Sequence, residues 1–397
     1  MRHNNLHISI ILGLILALSA KVTAQPHYSQ VLNYAEKNNP TILLAAKHAE
    51  AEKVVAHIGS LLPNPQADAA YFWGDPTNIG IRWDLSISQS FEMPSVLVRR
   101  TRLRDLQEHA AELNYEVVRK SVLLEIQQLC ADWIYYHAVA RIYSRRCASA
   151  TQLAQLFQTR FAAGDCSILE YNRAQMYMAD IQNQAAEAYL KEDHAAHDLH
   201  ILLGSDDFTF YQSEYDPVTI APSFEDWYEQ LEMRNPDLRM LDNQLETRQQ
   251  QLQLSRAQWL PSMSVGYASE NRVGETFRGI KVGLELPLWS QQRAVRAARL
   301  EAEAAQQELS SQRAMLFNHL RCMFHRHAAL IHNVENLKNA LQQYNSQDHL
   351  DKALEAGEIS LEQYLQQSDF YLDMELQLWE TSHELEQLHL YLYSIEL

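Results

Sequence analysis

Five side chains able to bind a metal crowd one stretch of the chain: His319, Cys322, His325, His327 and His332. Cys322 and His325 are three residues apart, and His325 and His332 share a helical face at seven. A zinc or copper site needs such donors within about 2–2.3 Å of one ion, and a single helix rarely supplies enough of them. Ordinary packing between helices is the leading reading. His319, Cys322, His325 and His332 are retained as the weaker metal reading. No nucleophile elbow, P-loop, HExxH or dinucleotide-binding glycine pattern occurs. The chain therefore reads as a non-enzyme with no cofactor. Cys130, Cys147, Cys166 and Cys322 form no CxxC pair. Cys130 and Cys147 would stand about 25 Å apart along one helix, too far to pair within it.

The elements that carry these residues are set by composition and punctuation. The formal net charge is −17, from Lys+Arg 33 against Asp+Glu 50. Nucleic acid is excluded as a partner, because phosphate binding needs clustered positive charge. Only 11 Gly and 11 Pro occur in 397 residues, below the usual roughly 7% and 5%, so the chain should be mostly helix. Arg2, the apolar run Ile8–Ala20 and the small residues Val22-Thr23-Ala24 have the layout of a secretory signal peptide over residues 1–24. That run is too short for a bilayer-spanning helix of about 20 residues, and none longer follows. Gln25 would begin the mature chain.

One plan is written twice. Ser95–Ala163 and Leu288–Ala356 contain neither Gly nor Pro, and Gly164 and Gly357 close them. Each could form a helix about 100 Å long. Such a helix needs partners along its flanks, since it cannot bury its own apolar stripe. Asn39-Pro40 and Asn235-Pro236 open matching helices, with Asn suited to the N-cap and Pro to the first position. Leu62-Pro63 and Leu260-Pro261 close them, and Tyr171 and Tyr364 follow the two turns at equal distance. The offset of roughly 193–198 residues marks a tandem duplication. The first repeat covers 25–203, the linker 204–222 and the second repeat 223–397.

Between the helices lie strand pairs, at about 66–91 and about 262–286. Ile79, Ile81, Trp83, Leu85 and Ile87 alternate with Gly80, Arg82, Asp84, Ser86 and Ser88; Ile280, Val282 and Leu284 alternate with Lys281, Gly283 and Glu285. A period of two gives each strand one apolar and one polar face. The expected loops are Gly74–Asn78 and Glu270–Phe277. Four strands are too few to close a barrel, so several chains must contribute: two would give eight strands and three would give twelve. Closure puts the aliphatic face toward lipid and Arg82, Asp84, Lys281 and Glu285 toward a wet lumen. Tyr71, Phe72 and Trp73 are expected at one membrane interface. Export, strands of lipid type and the lack of a membrane helix point to the outer membrane. Arg99, Arg100, Arg102 and Arg104 keep the long helices out of lipid and in the aqueous space on one side. A soluble periplasmic coiled-coil scaffold is the alternative, and it leaves the alternating strands unexplained.

This layout resembles the TolC family of outer-membrane efflux proteins across essentially the whole mature chain. The resemblance rests on the paired Asn-Pro starts, on Leu61-Leu62-Pro63-Asn64-Pro65 and on Ser88-Gln89-Ser90-Phe91 before an Arg-rich helix. It rests also on Arg160-Phe161-Ala162-Ala163-Gly164 with Ser167, and on Leu286-Pro287-Leu288-Trp289 leading to Ala297 and Ala298. The Leu-Pro-Asn-Pro step and the short length are most like the heavy-metal branch, serving cobalt–zinc–cadmium and copper–silver efflux. The resemblance implies a homotrimer: a mainly α fold whose duplicated long helical hairpins form a periplasmic tunnel, with four strands per chain completing a twelve-stranded outer-membrane β-barrel. It implies contact with outer-membrane lipid, a periplasmic adaptor (membrane fusion) protein and an inner-membrane efflux transporter. The implied cargo is heavy-metal cations, with small organic toxins as the alternative. Matching positions make Arg160, Gly164, Ser167, Gly357 and Ser360 the adaptor-docking periplasmic tip. Glu170 matches an acid of the family's tip latch, while Ile359 stands where its basic partner is expected. Glu362 and Asp369 are the other gate or lumen carboxylates. Locally, Ser167 with Glu170 and Ser360 with Gln363 fit the S-x-x-E/Q capping box.

Overall fold

The computed structural model describes residues 28–75, 79–204, 210, 212–272, 274–287, 289, 291–344 and 346–396. The signal-peptide reading and part of the linker, 205–209 and 211, lie outside the described residues. The chain divides into two compact units. One comprises Met1–Asn39, Leu123–Ile220 and His327–Tyr391; the other comprises Pro40–Val122, Ala221–Arg326 and Leu392–Leu397.

The elements follow the duplicated plan. The first repeat holds α1 (Tyr28–Asn38), α2 (Pro40–Gly59), β1 (Gln66–Trp73), β2 (Ile81–Phe91), α3 (Pro94–Ala163) and α4 (Ile168–Leu203). The second holds α5 (Phe224–Arg234), α6 (Pro236–Ala257), β3 (Ser262–Arg272), β4 (Glu275–Glu285), α7 (Gln291–Tyr344), α8 (Gln347–Glu355) and α9 (Leu361–Leu392). Asn235 caps α6 by accepting from the Asp237 amide at 2.9 Å, with Pro236 in the first turn. Its counterpart Asn39 is buried and donates its side-chain amide to the Leu202 carbonyl at 2.6 Å, tying the start of the first repeat to the end of α4.

α3 runs unbroken for 70 residues. The second Gly/Pro-free run does not: α7 ends at Tyr344 and α8 begins at Gln347. Before α8 stands Ser346, whose short polar side chain competes with the helical backbone. Ser346 shows that competition, since its hydroxyl donates back to the Tyr344 carbonyl at 3.4 Å. Absence of Gly and Pro was therefore insufficient to keep this helix continuous.

The first unit is a helical assembly. On α4 the residues Ala174, Ile181, Ala188 and Ala195 are buried at exact seven-residue intervals. A strict heptad keeps one seam in contact over many turns. α3 carries its own buried stripe of Leu123, Ile126, Cys130, Ile134 and Ala138. All four cysteines are free thiols.

The second unit contains the sheet, antiparallel in the order β1-β2-β3-β4. The expected loop at Glu270–Phe277 shrinks, because pairing continues through Glu270↔Phe277, Asn271↔Thr276 and Arg272↔Glu275. Gly274, at φ +84°, supplies the left-handed conformation that so tight a reversal needs. Ile79 falls outside β2. Helices of this unit are tied by surface ion pairs such as Arg239–Glu116 at 2.9 Å and Arg313–Asp242 at 2.9 Å. A buried bond from Gln291 to the Ser255 carbonyl at 2.7 Å adds to them.

Candidate functional site

Two helical turns in the first unit form the candidate docking tip. Gly164 (φ +79°) and Gly357 (φ +75°) adopt the left-handed conformation. Each carries the paired bonds of a Schellman cap. Gly164 N donates to the Phe161 carbonyl and Asp165 N to that of Arg160; Gly357 N donates to Leu354 and Glu358 N to Ala353. An added Cβ would meet nothing within 4 Å at either glycine, so conformation alone requires them. Both capping boxes form. Ser167 N reaches Glu170 at 2.8 Å and Glu170 N reaches the Ser167 hydroxyl at 3.2 Å. Ser360 N reaches Gln363 at 3.0 Å and Gln363 N returns to the Ser360 hydroxyl at 3.2 Å. The Ser167 amide and hydroxyl hold the Glu170 carboxyl below the usual carboxylate range. Glu170 is thus occupied within its own turn.

The two turns share one core of Leu153, Phe157, Ala174, Leu354, Leu361, Tyr364 and Leu365. Arg160 joins them as well. Its guanidinium lies over the Phe157 ring and donates to the carbonyls of Leu354 at 3.4 Å and Glu355 at 3.3 Å. Those carbonyls end α8, where the helix dipole favours a cation. The equivalent tyrosines diverge: Tyr171 stacks on Phe161, whereas buried Tyr364 donates to Asp351 of α8 at 2.8 Å.

Further along the same helices, Asp369 accepts from Arg146 at 3.0 Å and from Tyr177 at 3.1 Å, and Arg146 also donates to Ser368. Gln347 of α8 reaches Ser368 at 3.2 Å. This network links α3, α4, α8 and α9, and sequence reading identified only Asp369. Glu362 is exposed, 3.8 Å from Arg173, and shares with Asp369 a groove lined by Arg173, Tyr177 and Asp180. The sequence signal for Arg146 was slight, one arginine among several on α3.

The metal reading does not assemble. His319, Cys322, His325 and His332 are exposed, and among the described residues no group of three or more His, Cys, Asp or Glu side chains converges on an ion position. Of the cluster, His327 is fully buried and faces His389. A single helix turns its residues around the whole circumference, so five donors in fourteen positions scatter rather than converge.

The sheet forms the second candidate surface. Continuous register places Tyr71, Trp83, Leu85, Ile87, Tyr267, Val265, Ile280 and Val282 on one face. Ile280 is 80% and Val282 66% exposed, so this face has no cover among the described residues. The other face carries Asp68, Arg82, Asp84, Glu270, Arg272, Glu275, Lys281 and Glu285. Phe72 belongs to this polar face, not with Tyr71 and Trp73, because adjacent strand residues point oppositely; Arg82 lies over its ring at 5.5 Å. No helix among the described residues is long and apolar enough to cross a membrane.

A four-stranded antiparallel sheet set between duplicated long helical hairpins is the fold of outer-membrane channel protomers. The chain superposes on the Campylobacter jejuni CmeC outer membrane channel with a TM-score of 0.78 and 19% identity, covering 93% of this chain and 85% of that one. It matches the Vibrio cholerae outer membrane protein VceC at TM-score 0.78 and 12% identity, over 93% and 95% of the two chains. CusC, whose structures are described with transmembrane channel formation, matches at 0.78 and 13%, over 94% and 92%. Residues 227–395 match the family model described as outer membrane efflux protein. No curated protein sequence matches the chain.

Proposed function

We propose that the chain is one protomer of a passive outer-membrane exit duct in an efflux assembly, and not an enzyme. The observation that carries this reading is the sheet: an uncovered apolar face, a charged opposite face, and β1 and β4 at its two ends in one four-stranded order. An apolar face of this size is stable against lipid, and bare edges are removed when copies pair edge to edge. Three copies would give the twelve strands that the likeness to the TolC family implies. The exported protein would sit in the outer membrane, with its helices in the periplasm.

The paired Schellman turns fit an adaptor-docking role for Arg160, Gly164, Ser167, Gly357 and Ser360, since they present rigid backbone at one surface. Glu362 and Asp369 fit a gate or lumen role better than Glu170, whose oxygens serve its cap. An inner-membrane transporter would supply the driving force. Heavy-metal cations are the proposed cargo, supported by the Leu-Pro-Asn-Pro step and the short length; small organic toxins are the competing class. Metal sensitivity after gene deletion separates the two. Native mass spectrometry of detergent-extracted outer membranes tests the duct itself. A trimer starting at Gln25 is expected, and a monomer released without detergent would replace the duct with a periplasmic scaffold.

A further inference from the structure

The polar face of the sheet carries a definite charge pattern. Arg82 pairs with Asp84 at 2.8 Å and with Glu270 at 3.1 Å, and Arg272 pairs with Glu270 at 2.8 Å. These four groups neutralise one another, so neither arginine is left to attract an anion. Outside that network stand three carboxylates, Asp68, Glu275 and Glu285, and one cation, Lys281. The face holds five carboxylates against three cations, a net −2 per chain. Among the described residues of this face, Asp68 accepts from the Ser86 hydroxyl at 3.4 Å and Glu285 from that of Ser262 at 3.1 Å, neutral contacts that leave their charge intact. The remaining positions are mostly small: Ser264, Gly266, Ala268, Gly279 and Gly283 keep the face low.

We infer that this face makes the barrel a cation-selective filter, with Asp68, Glu275 and Glu285 as the selectivity-determining residues and Lys281 as their counterweight. The inference rests on the duct reading above. Twelve strands about 4.8 Å apart and tilted about 40° close at a backbone radius of about 12 Å. Side chains narrow that passage until no part of it lies much beyond a Debye length, about 10 Å at 0.1 M salt. Wall charge is therefore felt throughout the lumen, and every charge is repeated in each copy. Low-dielectric walls focus the field further. A permeant cation would be enriched in this segment and an anion of equal size depleted.

The test is the zero-current potential of the purified oligomer in a planar bilayer under a KCl gradient. K⁺ preference is expected in the parent protein. Asp68→Asn with Glu285→Gln removes the net −2 while keeping the serine contacts, and should shift the potential toward zero. Lys281→Gln should shift it the opposite way, toward stronger K⁺ preference. Chloride preference, or variants that conduct with an unchanged potential, would overturn the inference and leave the duct standing. Protein that neither inserts into the bilayer nor forms oligomers would overturn the duct reading, and the filter with it.

Discussion

The imidazoles of His327 and His389 face each other inside the helical unit, with Nε2 and Nδ1 3.2 Å apart and the rings stacked at 5.3 Å. Nδ1 of His327 is buried with no hydrogen-bond partner among the described residues. An orphaned N–H is the rarer arrangement in proteins, so the proton belongs on Nε2, donating to His389. Burial and the facing imidazole push the His327 pKa down to about 4, and burial lowers that of His389. For a depressed base the neutral form favours the fold. The stabilisation is complete above the unfolded value, about 6.5, and is lost as pH falls through about 4. The His327 contribution should therefore fall by up to about 3 kcal/mol as pH drops through this window. His327→Leu should remove this contribution in denaturant titrations at stepped pH.

Glu386 works in the opposite sense. It is 4% exposed, and burial raises its pKa to about 7, helped by the Asp216 carboxylate and opposed by the Tyr28 hydroxyl. A raised carboxyl favours the fold while protonated. Its contribution is present below the unfolded value, about 4.3, and is lost as pH rises through about 7. The two slopes offset each other in the parent protein. Glu386→Gln should expose the histidine slope, and His327→Leu the carboxyl slope. If stability against pH is the same in both variants, neither group titrates as described.

Gly164→Ala and Gly357→Ala should each cost about 1–2 kcal/mol, the penalty of the left-handed conformation for a residue with a Cβ. Asn should cost less at either position, since it tolerates that conformation. Because the space is open, an equal loss for Ala and Asn in thermal unfolding would count against the conformational explanation.

Arg146→Met should loosen the junction of α3, α4, α8 and α9. Asp369 is half exposed and can be rehydrated, so the loss is about 1–2 kcal/mol rather than the full cost of a stranded buried charge. Limited proteolysis between α7 and α8 reads it directly. Unchanged cleavage there would mean that Arg146 does not hold α8 in place.

The tips illustrate how much of the candidate site was legible. Glycine after a long uninterrupted run, then S-x-x-E or S-x-x-Q, specifies a Schellman turn and a capping box by local stereochemistry alone, and both formed as read. The role of Arg160 in joining the two turns was not legible, because its acceptors lie 194 and 195 residues away. The same holds for Arg146, whose partners are 222 and 223 residues distant.

The sequence by itself determined the duplication, the helical and strand periods, the turn glycines and the two-faced strands. Each follows from backbone stereochemistry and from side-chain spacing within one element, which neighbours along the chain decide. Only the tertiary structure decided that Phe72 joins the charged face and that His327, not His325, is the buried histidine. It also decided that α7 ends at Tyr344 with α8 starting anew at Gln347, and that Arg82 and Arg272 spend their charge on Asp84 and Glu270. These outcomes depend on register and on which helix faces meet, and contacts between distant segments set both.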